Sequence, residues 1–209
     1  MTALATERVV QFVEPTLGYW VIPGERGDLK LASGLLSSMT QDKAGNYVSK
    51  EGFKRGSLIE QFNVFSALYD LRGKGGDVES ARQFIQKSMR SSGLGTQTRI
   101  SYMPEGLDVV LHDYGRNSQK ESRALITGLD REVVTCLSKD ASLALTGKTP
   151  EQVSELFSYI NRTSAFVWRL NKRPFAFYDE CVAWFIAGLN RAYLFCDRGP
   201  QYSNSALGV

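Results

Sequence analysis

The chain has 209 residues, 43% hydrophobic and 22% charged, with a formal net charge of +3. Those values belong to an ordinary globular protein and exclude wholesale disorder. A single histidine excludes a His-rich zinc or iron site within one chain, and Cys136, Cys181 and Cys196 match neither a C-x-x-C knuckle nor a dense disulfide framework.

The N-terminus has no basic segment leading into an apolar run, so no export signal is expected. V-V-Q-F-V and L-G-Y-W-V-I are short strand candidates separated by Pro15, and residues 1–56 otherwise read as irregular structure wrapped against a body. The turn-rich stretch 44–56 carries three cations and reads as an exposed arm. Ser57 and Glu60 form a capping-box pattern ahead of Leu58, Ile59, Phe62, Phe65 and Leu68, which predicts a helix over 58–70. After the glycine-rich link 71–77, Val78, Ala81, Phe84, Ile85 and Met89 share one face of a second helix.

T-R-I-S-Y-M and L-D-V-V-L-H flank P-E-G at 104–106, the clearest β-hairpin signal in the chain. Ser118 and Glu121 resemble another capping box, with Ala124, Leu125, Leu129, Val133, Cys136 and Leu137 at helical spacing. Asp140 reads as the cap of a shorter continuation that stops at Gly147. Thr149, Pro150, Glu151 and Gln152 are a strong helix start, predicting a helix over 150–161. Phe166, Trp168 and Leu170 alternate as in a strand. Residues 177–195 then read as a last, almost wholly apolar helix, followed by a flexible tail over 200–209. Its strongest apolar run, at 182–188, is far short of the roughly 20 residues that cross a bilayer. The expected fold is therefore α+β, a mainly helical single domain over 1–209 with a small antiparallel β-hairpin.

Residues 161–178 interleave aromatics with four cations and contain no acid. Arg162, Arg169, Lys172 and Arg173 are suited to phosphate oxygens, and Phe166, Trp168, Phe175 and Tyr178 to stacking on unpaired bases. The same composition also suits burial in the core or against a protein partner, with the cations at the rim. His112, followed by Asp113 and Tyr114 at the end of a strand, is the one candidate general base, although neighbours in a strand point to opposite faces. R-G-K-G-G-D, with Arg72, Lys74, Gly75 and Gly76, offers a weak anion-binding loop at a helix start. It lacks the phosphate-loop pattern and reads first as a plain interhelical turn.

These readings favour a non-enzymatic binding or assembly protein that uses its basic aromatic C-terminal region, with single-stranded RNA or DNA as ligand. An acid–base or hydrolytic enzyme centred on His112 and an interaction adaptor without nucleic-acid binding are the alternatives. The expected partners are single-stranded nucleic acid and a protein partner or second copy, in an intracellular setting, with no membrane, cofactor or metal.

Overall fold

Among the described residues of 1–56, the two strand candidates are strands, and the stretch expected to be irregular adds two further strands and a short helix. The computed structural model describes residues 10–13, 18–116, 119–123, 133–134, 138–163, 165–170, 177, 179–189 and 191–209. β1 (Gln11–Val13), β2 (Tyr19–Gly24) and β3 (Gly27–Ala32) form an antiparallel sheet in that order. The β2–β3 turn ends at Gly27, whose φ of 128° suits only glycine. β4 (Leu35–Met39) leads into α1 (Gln41–Gly45), where Thr40 Oγ1 accepts from the Lys43 N–H. The expected arm is exposed over 46–48 and 50–52 but docked at its C-terminal end, with Phe53 and Arg55 buried.

α2 (Leu58–Asp70) begins at a complete capping box, in which Ser57 Oγ accepts from Glu60 N and Glu60 Oε2 accepts from Ser57 N. α3 (Gly76–Ser91) follows the glycine-rich link. β5 (Leu94–Tyr102) and β6 (Asp108–His112) make the expected hairpin, its loop closed by Gly106 at φ 96°. Both described ends of the helix expected after Ser118 are strands, β7 (Gln119–Arg123) and β8 (Val133–Val134). β7 is recruited by pairing with β6, an interaction that local helical spacing cannot register. α4 (Lys139–Thr146) starts at Ser138 rather than Asp140 and ends at Gly147 in the left-handed conformation. α5 (Pro150–Asn161) starts at the second capping box, between Thr149 and Gln152. β9 (Ala165–Leu170), β10 (Asp179–Ala187), β11 (Arg191–Arg198) and β12 (Asn204–Leu207) complete the chain.

The body of the protein is a seven-stranded mixed sheet ordered β7-β6-β5-β10-β11-β9-β8, beside the three-stranded sheet and a β12–β4 pair. Three sheets overturn the expectation of a mainly helical domain with one hairpin. The last predicted helix, 177–195, is in fact the antiparallel pair β10–β11 over its described residues. Cys181 through Phe185 are buried on both faces of the sheet, and a doubly buried strand presents the unbroken apolar run that also suits a buried helix.

On one face of the large sheet, Phe62 and Phe65 from α2, Phe157 from α5 and Phe185 from β10 form a fully buried cluster with ring centroids 5.5 to 6.1 Å apart. Each such burial stabilises the fold by roughly 1.5–3 kcal/mol. The opposite, outer face is covered over β5 by α1 and the β12–β4 pair. Gln97 Nε2 donates to the Gln41 carbonyl at 3.0 Å, and Arg99 reaches Gln41 Oε1 at 2.8 Å, Asp42 Oδ1 at 2.6 Å and Glu180 Oε2 at 3.3 Å. Arg55 Nη2 donates to the carbonyls of Met39 at 2.7 Å and Asn204 at 2.6 Å, tying both strands of the pair to one guanidinium. The expected flexible tail is thus in part a strand, with Ala206 and Leu207 fully buried because β4 supplies its ladder partner.

Candidate nucleic-acid interface

β10 and β11 turn alternate residues to the two faces of the large sheet. Cys181, Ala183, Phe185 and Ala187 on β10, with Ala192, Leu194 and Cys196 on β11, join the core beneath the helices. The residues between them, including Trp184, Tyr193 and Phe195, take the outer face. Tyr193 and Phe195 are half-buried and lie two apart on one strand, with ring centroids at 5.3 Å and planes within 21°. Phe195 also meets Trp184 at 4.8 Å, so the three rings form a continuous row.

An irregularity in the ladder completes this row with a cation. Val182 pairs with Arg198 and Trp184 with Phe195, so β11 spends one residue more than β10 between the two pairs. Such a bulge re-aims the side chains beyond it. Arg198, which strict alternation would send to the core, instead lies over the Trp184 ring with its guanidinium carbon 3.9 Å from the centroid. Arg191 and Arg198, at the two ends of β11, are both exposed. Cations flanking aromatic rings on a sheet suit the backbone and bases of a single strand.

Three of the candidates named from the sequence lie in the strand next to β11, and only Arg169 is in register with a residue of the row. Phe166, Trp168 and Arg169 lie in β9, which pairs in parallel with β11: Phe166 is opposite Ala192, Trp168 opposite Leu194 and Arg169 opposite Phe195. Lys172, Arg173, Phe175 and Tyr178 lie outside the described residues. Arg162 is set apart from the row, capping the end of α5 at φ 54° with its Nη2 on Glu79 Oε1 of α3 at 2.9 Å. Tyr193, Phe195 and Arg198 were not singled out from sequence. The alternation Arg191, Tyr193, Phe195 was the available signal once 191–198 is read as a strand.

His112 is buried, and both ring nitrogens are engaged. Nδ1 is 3.0 Å from Thr98 Oγ1, and Nε2 is 2.8 Å from the Ala144 carbonyl. A carbonyl only accepts, so Nε2 carries the proton and donates to it. Thr98 Oγ1, on the other side of the ring, also accepts from the Leu58 N–H at 2.8 Å. The ring thereby joins β5, β6 and α4. Asp113, left-handed at φ 52°, binds Lys54 Nζ at 3.2 Å and Arg116 Nη1 at 2.8 Å. The Tyr114 ring lies under the Arg99 guanidinium at 3.4 Å, and its carbonyl accepts from Gln97 Nε2 at 2.6 Å. The three consecutive residues make three separate structural contacts.

At the other candidate loop, Arg72 Nη1 donates to the Tyr69 carbonyl at 2.7 Å and its guanidinium stacks 4.0 Å from the Tyr69 ring. Lys74 N–H closes a turn onto the Leu71 carbonyl at 3.0 Å. Gly75, at φ 120°, precedes Gly76 at the start of α3, whose first turn carries Asp77 and Glu79. Two carboxylates in that turn already complement the helix dipole and oppose a second anion.

No group of three or more potential metal-ligating side chains occurs among the described residues. No described helix is long and apolar enough to cross a membrane. Cys181 and Cys196 are buried thiols, and burial pushes the Cys196 pKa well up. Cys136 lies outside the described residues. Compared with family models, curated proteins and solved structures, the chain matches none.

Proposed function

We propose that this chain binds single-stranded nucleic acid on the outer face of β10–β11. Tyr193 and Phe195 serve as stacking platforms, and Arg191 and Arg198 contact phosphates. The observation that carries the reading is the near-parallel Tyr193–Phe195 pair at 5.3 Å, bounded by an exposed arginine at each end of the same strand. Arg169 of β9 is opposite Phe195 in the ladder, adding a basic residue in register with the row. Stacking on an aromatic side chain contributes roughly 1–3 kcal/mol per base and tolerates any sequence, so a modest net charge does not preclude affinity.

The test is fluorescence anisotropy with labelled single strands of about 20 nucleotides, against a duplex of the same sequence, at low and high salt. Single strands should bind more tightly than the duplex, and affinity should fall with salt. Tyr193→Ala and Phe195→Ala should each weaken binding by about tenfold. Equal affinity of a folded Tyr193→Ala, Phe195→Ala double variant would sink the proposal.

An assembly role is the second reading. Phe177 at 82% and Leu189 at 84% exposure are large apolar side chains presented to solvent, as contact surfaces between proteins are. Light scattering at two salt concentrations distinguishes a salt-insensitive oligomer from a protein–nucleic-acid complex.

A further inference from the structure

Trp184 occupies the middle of the outer face yet is only 5% exposed, because its neighbours close over it. Phe195 packs at 4.8 Å with its plane tilted by 44°, and the Arg198 guanidinium lies 3.9 Å from the ring centroid. The far edge of the indole lies against Gly93, where a Cβ would come within 3.1 Å of Trp184 Cζ3 and within 3.1 Å of the Phe185 carbonyl oxygen. Gly93 also has φ 65°, a left-handed conformation that favours glycine in this cradle. Inside it, the indole Nε1 is buried and has no hydrogen-bond partner. A buried tryptophan N–H normally finds an acceptor, and leaving it unpaired disfavours the closed arrangement.

We infer that Trp184 is a third, closed base-binding position, opened when Arg198 leaves the indole for a phosphate of the incoming strand. The inference rests on the nucleic-acid reading of the same face. Arg198 is held there by a cation–π contact from an exposed side chain, a weak interaction that a planar base replaces in kind. The displaced guanidinium gains a charge-assisted bond to a phosphate oxygen. The ligand of the opened position is a nucleobase whose carbonyl or ring nitrogen accepts from Nε1–H. No covalent step is involved. The bulge between Phe195 and Arg198 is what makes the exchange available, since without the added residue the arginine would face the helices.

The chain has three tryptophans, so Trp20→Phe with Trp168→Phe leaves Trp184 as sole indole fluorophore. In this background, acrylamide should quench Trp184 poorly, and Arg198→Ala should make it several-fold more quenchable without ligand. Adding single-stranded oligothymidylate of about 20 nucleotides should quench the emission. Trp184→Phe, which keeps an aromatic ring and removes the N–H, should weaken oligothymidylate binding about fivefold to tenfold without changing its salt dependence. Arg198→Ala should lower the salt slope by about one. If oligothymidylate binds in a Tyr193- and Phe195-dependent way while Trp184 emission and the Trp184→Phe affinity stay unchanged, the closed position is overturned and the face remains a binding surface. If no strand binds the wild-type chain, both readings fall. Should Trp184→Phe fail to fold, the emission and Arg198→Ala measurements decide the matter.

Discussion

Arg55 and Asn204 stand 149 residues apart in the chain and are joined by a 2.6 Å hydrogen bond from the guanidinium to the backbone carbonyl. Burial, reinforced by the nearby charge of Arg116, pulls the Arg55 pKa down to about 10. The fold thus opposes this charge while using its hydrogen bonds. Arg55→Ala leaves the Met39 and Asn204 carbonyls without this donor and should destabilise the protein by about 2–3 kcal/mol in urea denaturation. Arg55→Met keeps the packed stem and removes the opposed charge, so its loss should be smaller. Hydrogen exchange should rise first over 204–207.

His112→Ala removes a strut among β5, β6 and α4. It should cost about 2–4 kcal/mol by thermal or chemical denaturation, combining a cavity with unpaired Thr98 and Ala144 groups. Strand binding per folded molecule should be unaffected. Loss of binding by a fully folded His112→Ala protein would show that the ring has a role beyond this contact.

The Arg82 guanidinium, with help from Gln83 and Arg162, holds the Glu79 carboxyl down at about 2, below its ordinary 4.5. A carboxylate whose folded pKa is depressed contributes stability that is fully present above the unfolded value and lost as pH falls towards the folded one. Between about pH 5 and pH 2, wild type should therefore lose stability relative to Glu79→Gln, narrowing the gap between them. Glu79 is 40% exposed, so solvent screening keeps the effect modest. Parallel pH profiles for the two proteins would remove Glu79 as a source of acid sensitivity.

Thr149→Ala should cost about 1 kcal/mol, the usual loss for a helix cap. The Thr149 hydroxyl accepts from the Gln152 N–H at 3.4 Å, while Gln152 Oε1 accepts from the Thr149 N–H at 3.0 Å. Gln152→Ala should cost less, because the side chain it removes contacts an exposed donor. A thermal melt of each variant checks the order.

Both capping boxes and the P-E-G hairpin could be read from sequence because their determinants lie within four residues of one another. The C-terminal strands could not, for a related reason. Phe185 and Trp184 are adjacent and buried on opposite faces, so β10 shows no alternation of apolar and polar residues. β7 and β12 owe their extended state to β6 and β4, partners that no short window contains. In the candidate interface, the strand character of 165–170 was legible from Phe166, Trp168 and Leu170. The place of Arg198 was not, because it depends on a register irregularity set by β10. Local sequence marks Arg162 and His112 by residue type and neighbours, but their contacts with Glu79, Thr98 and Ala144 are long-range and leave no local signal.

The pairing of β5 with β10 couples residue 102 to residue 179 at the centre of the sheet. That contact closes a long loop, at a greater entropic cost than the local pairings on either side of it. A fragment cut before Asp179 would leave β5, nine buried residues long, as a raw edge with an unfilled ladder. Such a piece should aggregate rather than behave as a smaller domain. The aromatic row and the structural integrity of the N-terminal half are therefore inseparable in this chain, and deletion mapping of any function would report misfolding instead of contact.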